Sequence, residues 1–111
     1  MRQANVFYNN DLAGILTETD EGDYIFQYNE SYIINFPDQF ITFKMPVNKQ
    51  VYTEQRLFPF FEGLIPEGWL LDVATKNWKI NTSDRMGLLL ACCGNCIGAV
   101  SINPIINKED E

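Results

Sequence analysis

The chain has 111 residues, of which 46% are hydrophobic and 14% aromatic, so it can bury one core without metals or disulfides. Its 15 acidic and 8 basic side chains leave a formal net charge of -7, which repels phosphate backbones and disfavours direct nucleic-acid binding. No apolar run approaches the ~18 residues of a membrane span, and the first residues contain no apolar leader. We therefore expect a cytoplasmic protein that contacts no membrane.

The first part of the chain predicts β-strands. Residues 6–8 and 12–16 flank an Asn-Asn-Asp sequence at 9–11, and these residue types tolerate the left-handed backbone of a tight hairpin. A second turn signal, at residues 20–23, precedes an alternating segment whose period of two predicts another strand. Three aromatic side chains share one face of that strand: Tyr24, Phe26 and Tyr28.

Two further short runs, residues 31–36 and 40–45, are predicted to be extended. Pro37 and Asp38 provide a turn between them, and Pro46 closes the second run because proline cannot donate to a strand ladder.

The second half predicts helices. Phe60, Phe61 and Leu64 form the apolar face of a short helix in whose first turn Pro59 is tolerated, and Pro66 can open another helix. These spacings are helical rather than strand-like, since the apolar residues recur three and four positions apart.

The clearest helix signal begins at residue 83 or 84 and ends at 93. Thr82, Ser83 and Asp84 offer capping oxygens, and Gly94 is a stop. The apolar stripe between them is Met86, Leu89, Leu90 and Cys93. A last strand is predicted at 97–102.

These elements predict an α+β fold, in which an antiparallel sheet from the N-terminal half packs against short helices from the C-terminal half. We expect one domain over residues 1–103, followed by a charged tail over residues 104–111.

The sequence lacks the catalytic motifs that several enzyme classes require. There is no histidine, no glycine-rich phosphate loop and no kinase catalytic or metal-binding motif. We therefore predict that the protein is not an enzyme, with no catalytic residue and no cofactor.

The cysteines allow two interpretations. Cys93 and Cys96 have the spacing of zinc and redox motifs, but neither a second pair nor a histidine completes four zinc ligands. In the alternative, Cys92, Cys93 and Cys96 pack as small hydrophobes. We favour the second interpretation and predict no metal site.

Aromatic residues of the second half divide into core and contact candidates. Phe58, Phe60, Phe61 and Trp78 are expected in the core. Trp69 follows a turn-prone Pro-Glu-Gly sequence, and it either covers the edge of the core or binds a partner, since tryptophan is enriched at binding hot spots. The predicted partner-binding segment is Leu64, Ile65, Pro66, Glu67, Gly68, Trp69 and Leu70.

Two phrases carry a family resemblance. FFEGLIPEGW at residues 60–69 and SDRMGLLLACCGNCIGAVSI at residues 83–102 resemble the N-terminal subdomain of HipA-type serine/threonine kinases. Upstream, Gly14, Leu16, Phe26 and the Met-Pro pair at 45–46 fit the same pattern. The chain stops after this subdomain, and so is similar to the small antitoxins, called HipS, of tripartite HipB-HipS-HipT systems.

The resemblance implies that the chain binds and neutralises a HipT-like serine/threonine kinase, and that a HipB-like DNA-binding protein joins the complex. It leaves two alternatives open. The chain could complete the kinase fold as a structural or activating subunit, or it could be an adaptor that contacts the HipB-like protein.

Overall fold

The computed structural model describes residues 1–65, 84–92 and 100–105, which form five strands and three helices. In chain order these are β1 (Arg2–Tyr8), β2 (Asp11–Glu18), β3 (Tyr24–Tyr28), α1 (Glu30–Asn35), β4 (Tyr52–Glu54), α2 (Pro59–Glu62), α3 (Arg85–Cys92) and β5 (Val100–Pro104). The α+β prediction is confirmed.

The strands form one antiparallel sheet in the order β4-β3-β2-β1-β5. The turn between β1 and β2 places Asn9 and Asn10 at φ 51° and 71°, the left-handed region that asparagine tolerates better than most residues. The hairpin predicted from these residues is therefore confirmed. β5 pairs with β1, so the first strand lies inside the sheet, and β4 and β5 are the outermost of the described strands.

The core lies on one face of the sheet. Strand residues such as Val6, Leu16 and Phe26 are fully buried and form one cluster with side chains from all three helices. The helical members are Tyr32 from α1, Phe61 from α2, and Met86, Leu88 and Leu89 from α3. Tyr24, Phe26 and Tyr28 are buried on one face of β3, as the alternation predicts.

Gly14 on β2 is needed because the neighbouring strand β3 lies very close to it. A Cβ at this position would lie 2.4 Å from the carbonyl oxygen of Gln27 and 2.9 Å from the ring of Phe26. The absence of a side chain lets the Phe26 ring lie over the backbone of β2, which places this ring at the centre of the core.

The prediction of an extended run at 31–36 is wrong, because α1 covers most of it. Tyr32 and Phe36 are four residues apart, and one turn of helix brings their ring centroids to 5.1 Å. Tyr32 is only 2% exposed. Burying this ring pair on the sheet outweighs the strand preference of the two isoleucines between them.

The extended run predicted at 40–45 is also wrong, since this segment consists of turns and bends. Three tyrosine hydroxyls bind backbone groups of residues 39–46. Tyr28 donates to the carbonyl of Met45 at 2.5 Å and accepts from the amide of Ile41 at 3.1 Å. Tyr32 and Tyr52 donate to the carbonyls of Gln39 and Pro46 at 2.5 and 2.7 Å. These bonds replace the strand ladder.

β1, β2, β3, α2 and α3 overlap the predicted strands and helices, whereas β4 was not predicted. β5 overlaps the predicted last strand at residues 100–102 and continues to Pro104, where the charged tail was expected to begin. The helix expected from Pro66, the ring of Trp78 and residues 106–111 of the predicted tail lie outside the described residues. In the described part of the chain, no helix is long and apolar enough to cross a bilayer.

Candidate partner-binding site

The helix α2 fixes the position from which the predicted contact segment starts. Pro59 occupies the first turn, where its missing N–H costs no hydrogen bond. Phe61 is fully buried, and its ring centroid lies 5.7 Å from that of Phe26 on β3. Phe58 and Phe60 pack around the same ring at 6.0 and 5.2 Å. The short helix is thereby held on the sheet by aromatic packing.

A second attachment joins α2 to α3. Glu62, the last residue of α2, forms a salt bridge with Arg85, the first residue of α3. Both side chains are roughly one-third exposed, so the pair contributes more to orientation than to stability.

The beginning of α3 is tied to the sheet by charged groups. Asp84 caps the helix, since its Oδ1 accepts from the amide of Gly87 at 3.1 Å. The guanidinium of Arg2 on β1 binds both oxygens of Asp84, at 2.7 and 3.1 Å, and its Nε donates to Glu18 at 2.7 Å. The hydrogen bonds that Arg2 donates to Asp84 lower the pKa of Asp84 and raise the pKa of Arg2.

The predicted contact residues are described only at their beginning. Leu64 is half-buried against the core, and Ile65 is 3% exposed. Their amides donate to the carbonyls of Phe61 and Glu62 at 3.0 and 3.2 Å, which continues the turn of α2. Ile65 therefore belongs to the packed base, and Leu64 lies at its rim. Pro66, Glu67, Gly68, Trp69 and Leu70 lie outside the described residues.

The core assignments of the neighbouring aromatic residues can be compared with the structure. Phe58 and Phe61 are buried, as predicted, and Phe60 is half-buried. The chain thus leaves α2 from a base that is fixed to the sheet and to α3. Such a base fixes the point at which residue 65 ends the described segment, so this point needs no ordering when a partner binds.

Most of the cysteine cluster lies outside the described residues. Cys92 is the last residue of α3, and Cys93 and Cys96 lie outside the described residues. Within residues 1–65, 84–92 and 100–105, no group of three potential metal ligands comes together. The choice between the two interpretations of the cysteines stays a prediction.

Sequence reasoning missed one surface feature. Phe43 is 75% exposed and Val51 is 47% exposed, and both line an open groove beside β4. Phe43 lies in the run at 40–45 that was predicted to be extended. Ile41 and Met45 are four residues apart, a spacing typical of two side chains on the same side of a turn, with Phe43 between them facing elsewhere. Both Ile41 and Met45 are buried.

Comparison with known proteins gives matches over nearly the whole chain. A family model described as HipA N-terminal domain matches residues 4–103. An uncharacterized protein of Haemophilus influenzae is 32% identical over 102 residues, 92% of each chain. The kinase-like protein Y4mE of Sinorhizobium fredii is 24% identical over 104 residues, 94% of this chain and 25% of that protein.

A solved structure, the N-terminal domain of HipA toxin, superposes with a TM-score of 0.73 and 25% identity. The match covers 97% of this chain and 96% of that one. The similarity to Y4mE covers only part of that protein, because this chain spans about a quarter of the length of Y4mE.

Proposed function

The chain belongs to the HipA N-terminal domain family, and we propose that it binds and neutralises a HipT-like serine/threonine kinase without chemistry of its own. In this proposal it is a cytoplasmic antitoxin-like protein. The observation that carries the proposal is family membership: the HipA N-terminal domain model matches residues 4–103, and the solved N-terminal domain of HipA toxin superposes with a TM-score of 0.73.

The proposed contact is the segment Leu64 to Leu70. Phe61, Ile65 and the Glu62–Arg85 salt bridge fix its starting point. The Pro-Glu-Gly-Trp sequence that follows would present Trp69 to the kinase, where a large ring can fill a desolvated pocket. An inserted ring could displace the kinase's phosphate-binding loop, so inhibition would require no catalytic group here.

The net charge of the chain also supports a kinase as the partner. The net charge of -7 favours docking on a surface rich in basic groups, such as a nucleotide-binding cleft. In this scheme a HipB-like DNA-binding protein contacts the nucleic acid, and the acidic chain joins the complex through protein surfaces alone.

A second candidate is a subunit that completes and activates the kinase. It is favoured by the similarity to Y4mE, in which the matched stretch belongs to a larger kinase-like chain. Both candidates need an interface with the kinase, and they differ in the sign of the effect on its activity.

Co-expression with a HipT-like kinase distinguishes these candidates. We expect the parent chain to restore growth, and Trp69→Ala to restore it poorly because it loses about 2 kcal/mol or more of binding. The matched control is Ile34→Ser, which alters a 70% exposed side chain on α1. Worsened toxicity with the parent chain would support the activating subunit. Full rescue by Trp69→Ala would exclude the proposed contact.

A further inference from the structure

One face of the sheet points away from the core. Residues paired directly across antiparallel strands share a face, so the registers assign each paired strand residue to one side. The core cluster, with side chains from all three described helices, lies on one of these sides. The other side is called the open face here, and its central row runs across β5, β1, β2 and β3 through Asn103, Asn5, Ile15 and Gln27.

Within the five described strands, the open face carries no charged side chain. These strands contain four charged residues, and the registers place all of them on the same side as the core: Arg2, Asp11, Glu18 and Glu54. The usual antiparallel sheet has its apolar residues on the core face and its charged residues on the face toward water. Depletion of charged residues is instead typical of the centre of a protein interface.

Ile15 lies at the centre of the open face. It belongs to β2, the middle strand of the five, and it is paired with Asn5 on β1 and Gln27 on β3. Its side chain is 37% exposed, and that of Gln27 is exposed as well. In the next row the side-chain amide of Gln3 donates to the hydroxyl of Thr17 at 3.2 Å. The face therefore has an apolar anchor surrounded by uncharged polar groups, an arrangement found in interfaces.

The charge of the chain favours a second copy as the occupant of this face. Each copy carries -7, so two copies repel each other, and they do so least where a face carries no charge. Amide and hydroxyl groups both donate and accept hydrogen bonds, so one patch made of them can pair with itself across a two-fold axis. A strongly basic partner would gain no electrostatic attraction from this face.

The size of the face fits a reversible dimer. Five strands about 4.8 Å apart, each roughly 5–6 residues long at about 3.3 Å per residue, span about 24 by 18 Å. Two copies would cover roughly 900 Å² in all, which is at the low end of protein interfaces. Association in the micromolar range is therefore expected rather than an obligate dimer.

We propose that the open face binds the open face of a second copy of this chain. The two sheets pack face to face about a two-fold axis near Ile15, so the isoleucines of both copies meet at the centre. The amides of Asn5 and Gln27 hydrogen-bond to the second copy around them. α2, from which the proposed kinase contact starts, packs on the other face of the sheet, and the dimer does not depend on kinase inhibition.

Sedimentation equilibrium of the purified full chain tests this proposal. The average mass should rise from 12.8 kDa toward twice that value as concentration increases. We expect a Kd of about 10–100 µM, so the range from about 1 to about 500 µM covers the transition. Added salt should strengthen the dimer, because it screens the repulsion between two acidic copies and the open face has no ion pair to weaken.

Three lysine substitutions locate the interface. Ile15→Lys brings two like charges together at the two-fold axis and should weaken the dimer by about tenfold or more. Gln27→Lys should also weaken it, at an exposed position where the fold is not at risk. Ile34→Lys is the matched control, since it makes the same change at a 70% exposed side chain on α1 and should not weaken the dimer. Circular dichroism checks that each variant is folded.

Several results would overturn the proposal. A mass that stays at 12.8 kDa at every concentration and salt would exclude the dimer. A dimer that neither Ile15→Lys nor Gln27→Lys weakens, or that Ile34→Lys weakens equally, would place the interface elsewhere. A dimer that salt dissociates would be held by ion pairs outside the open face. A monomeric chain whose kinase complex is weakened by Ile15→Lys would assign the open face to the kinase.

Discussion

Two apolar segments of this molecule are anchored in different ways. In α2 and the turn after it, Phe61 and Ile65 are buried against the sheet, and the backbone closes its own helical turn. In the turns at 39–46 the backbone is bound by tyrosine hydroxyls, and Phe43 points outward. An aromatic residue in the sequence therefore means core in one segment and surface in the other.

The comparison shows that the interactions that fix a segment need not involve the aromatic side chains that the segment exposes. α2 uses aromatic packing to fix its own position and thereby the start of the chain that follows. The 39–46 segment uses hydrogen bonds from the core to fix its position, which leaves large side chains available at the surface. The same substitution should consequently have a large effect on stability in the first segment and almost none in the second.

The largest effect is expected for Phe61→Ala. Phe61 is fully buried, and the ring centroids of Phe26, Phe58 and Phe60 lie within 6.0 Å of its own. Removing this ring should lower the free energy of unfolding by about 3–5 kcal/mol. Urea denaturation followed by circular dichroism measures it. A loss below about 1 kcal/mol would mean that α2 is not held by this ring.

The hydroxyl of Tyr28 should rank second. Tyr28→Phe leaves the amide of Ile41 and the carbonyl of Met45 without this partner in a buried place, which should cost about 1–3 kcal/mol. Tyr52→Phe is the control, since its bond to Pro46 is exposed and should be worth less. Equal losses in denaturant melts of the two variants would contradict burial as the cause.

The cap of α3 should rank third, and its effect should depend on pH. Asp84→Ala removes the bonds to Gly87 and Arg2 and should cost about 1 kcal/mol at neutral pH. The pKa of Asp84 is lowered in the folded state, so its contribution is complete above the unfolded value of about 4 and is lost as pH falls through the lowered value. The difference between parent and variant should narrow below pH of about 4. A difference that widens there would contradict this sign.

The smallest effect is expected for Phe43→Ser. The side chain is 75% exposed, so the free energy of unfolding should change by no more than about 0.5 kcal/mol, although an aromatic ring is lost. Thermal melts of this variant beside Phe61→Ala give the comparison directly. A large loss would show that Phe43 is part of the core after all.

Local patterns predicted the regular part of the fold. The asparagines at 9 and 10 predicted the first hairpin because few residue types accept a positive φ. The alternation of Tyr24, Phe26 and Tyr28 predicted which face of β3 is buried, and Asp84 with the apolar stripe predicted α3. In each case the deciding interaction lies within a few residues along the chain.

The segment between β3 and β4 could not be predicted in this way. Tyr28 and Met45 are 17 positions apart, and Tyr28 and Ile41 are 13 apart, so their bonds are invisible to local patterns. In α1, β-branched residues favoured a strand, while the stacking of Tyr32 on Tyr28 at 5.9 Å favours the helix. The groove beside β4 was missed for the same reason, because its walls come from three separate parts of the chain.

The most direct test of the proposed function uses the purified HipT-like kinase. Its autophosphorylation is followed while the chain is titrated in, and complex formation is followed by calorimetry in parallel. We predict a defined complex in which autophosphorylation is lost, and a much weaker complex with Trp69→Ala. A kinase that binds the chain and keeps or raises its activity, or one that does not bind it at all, would contradict the proposal.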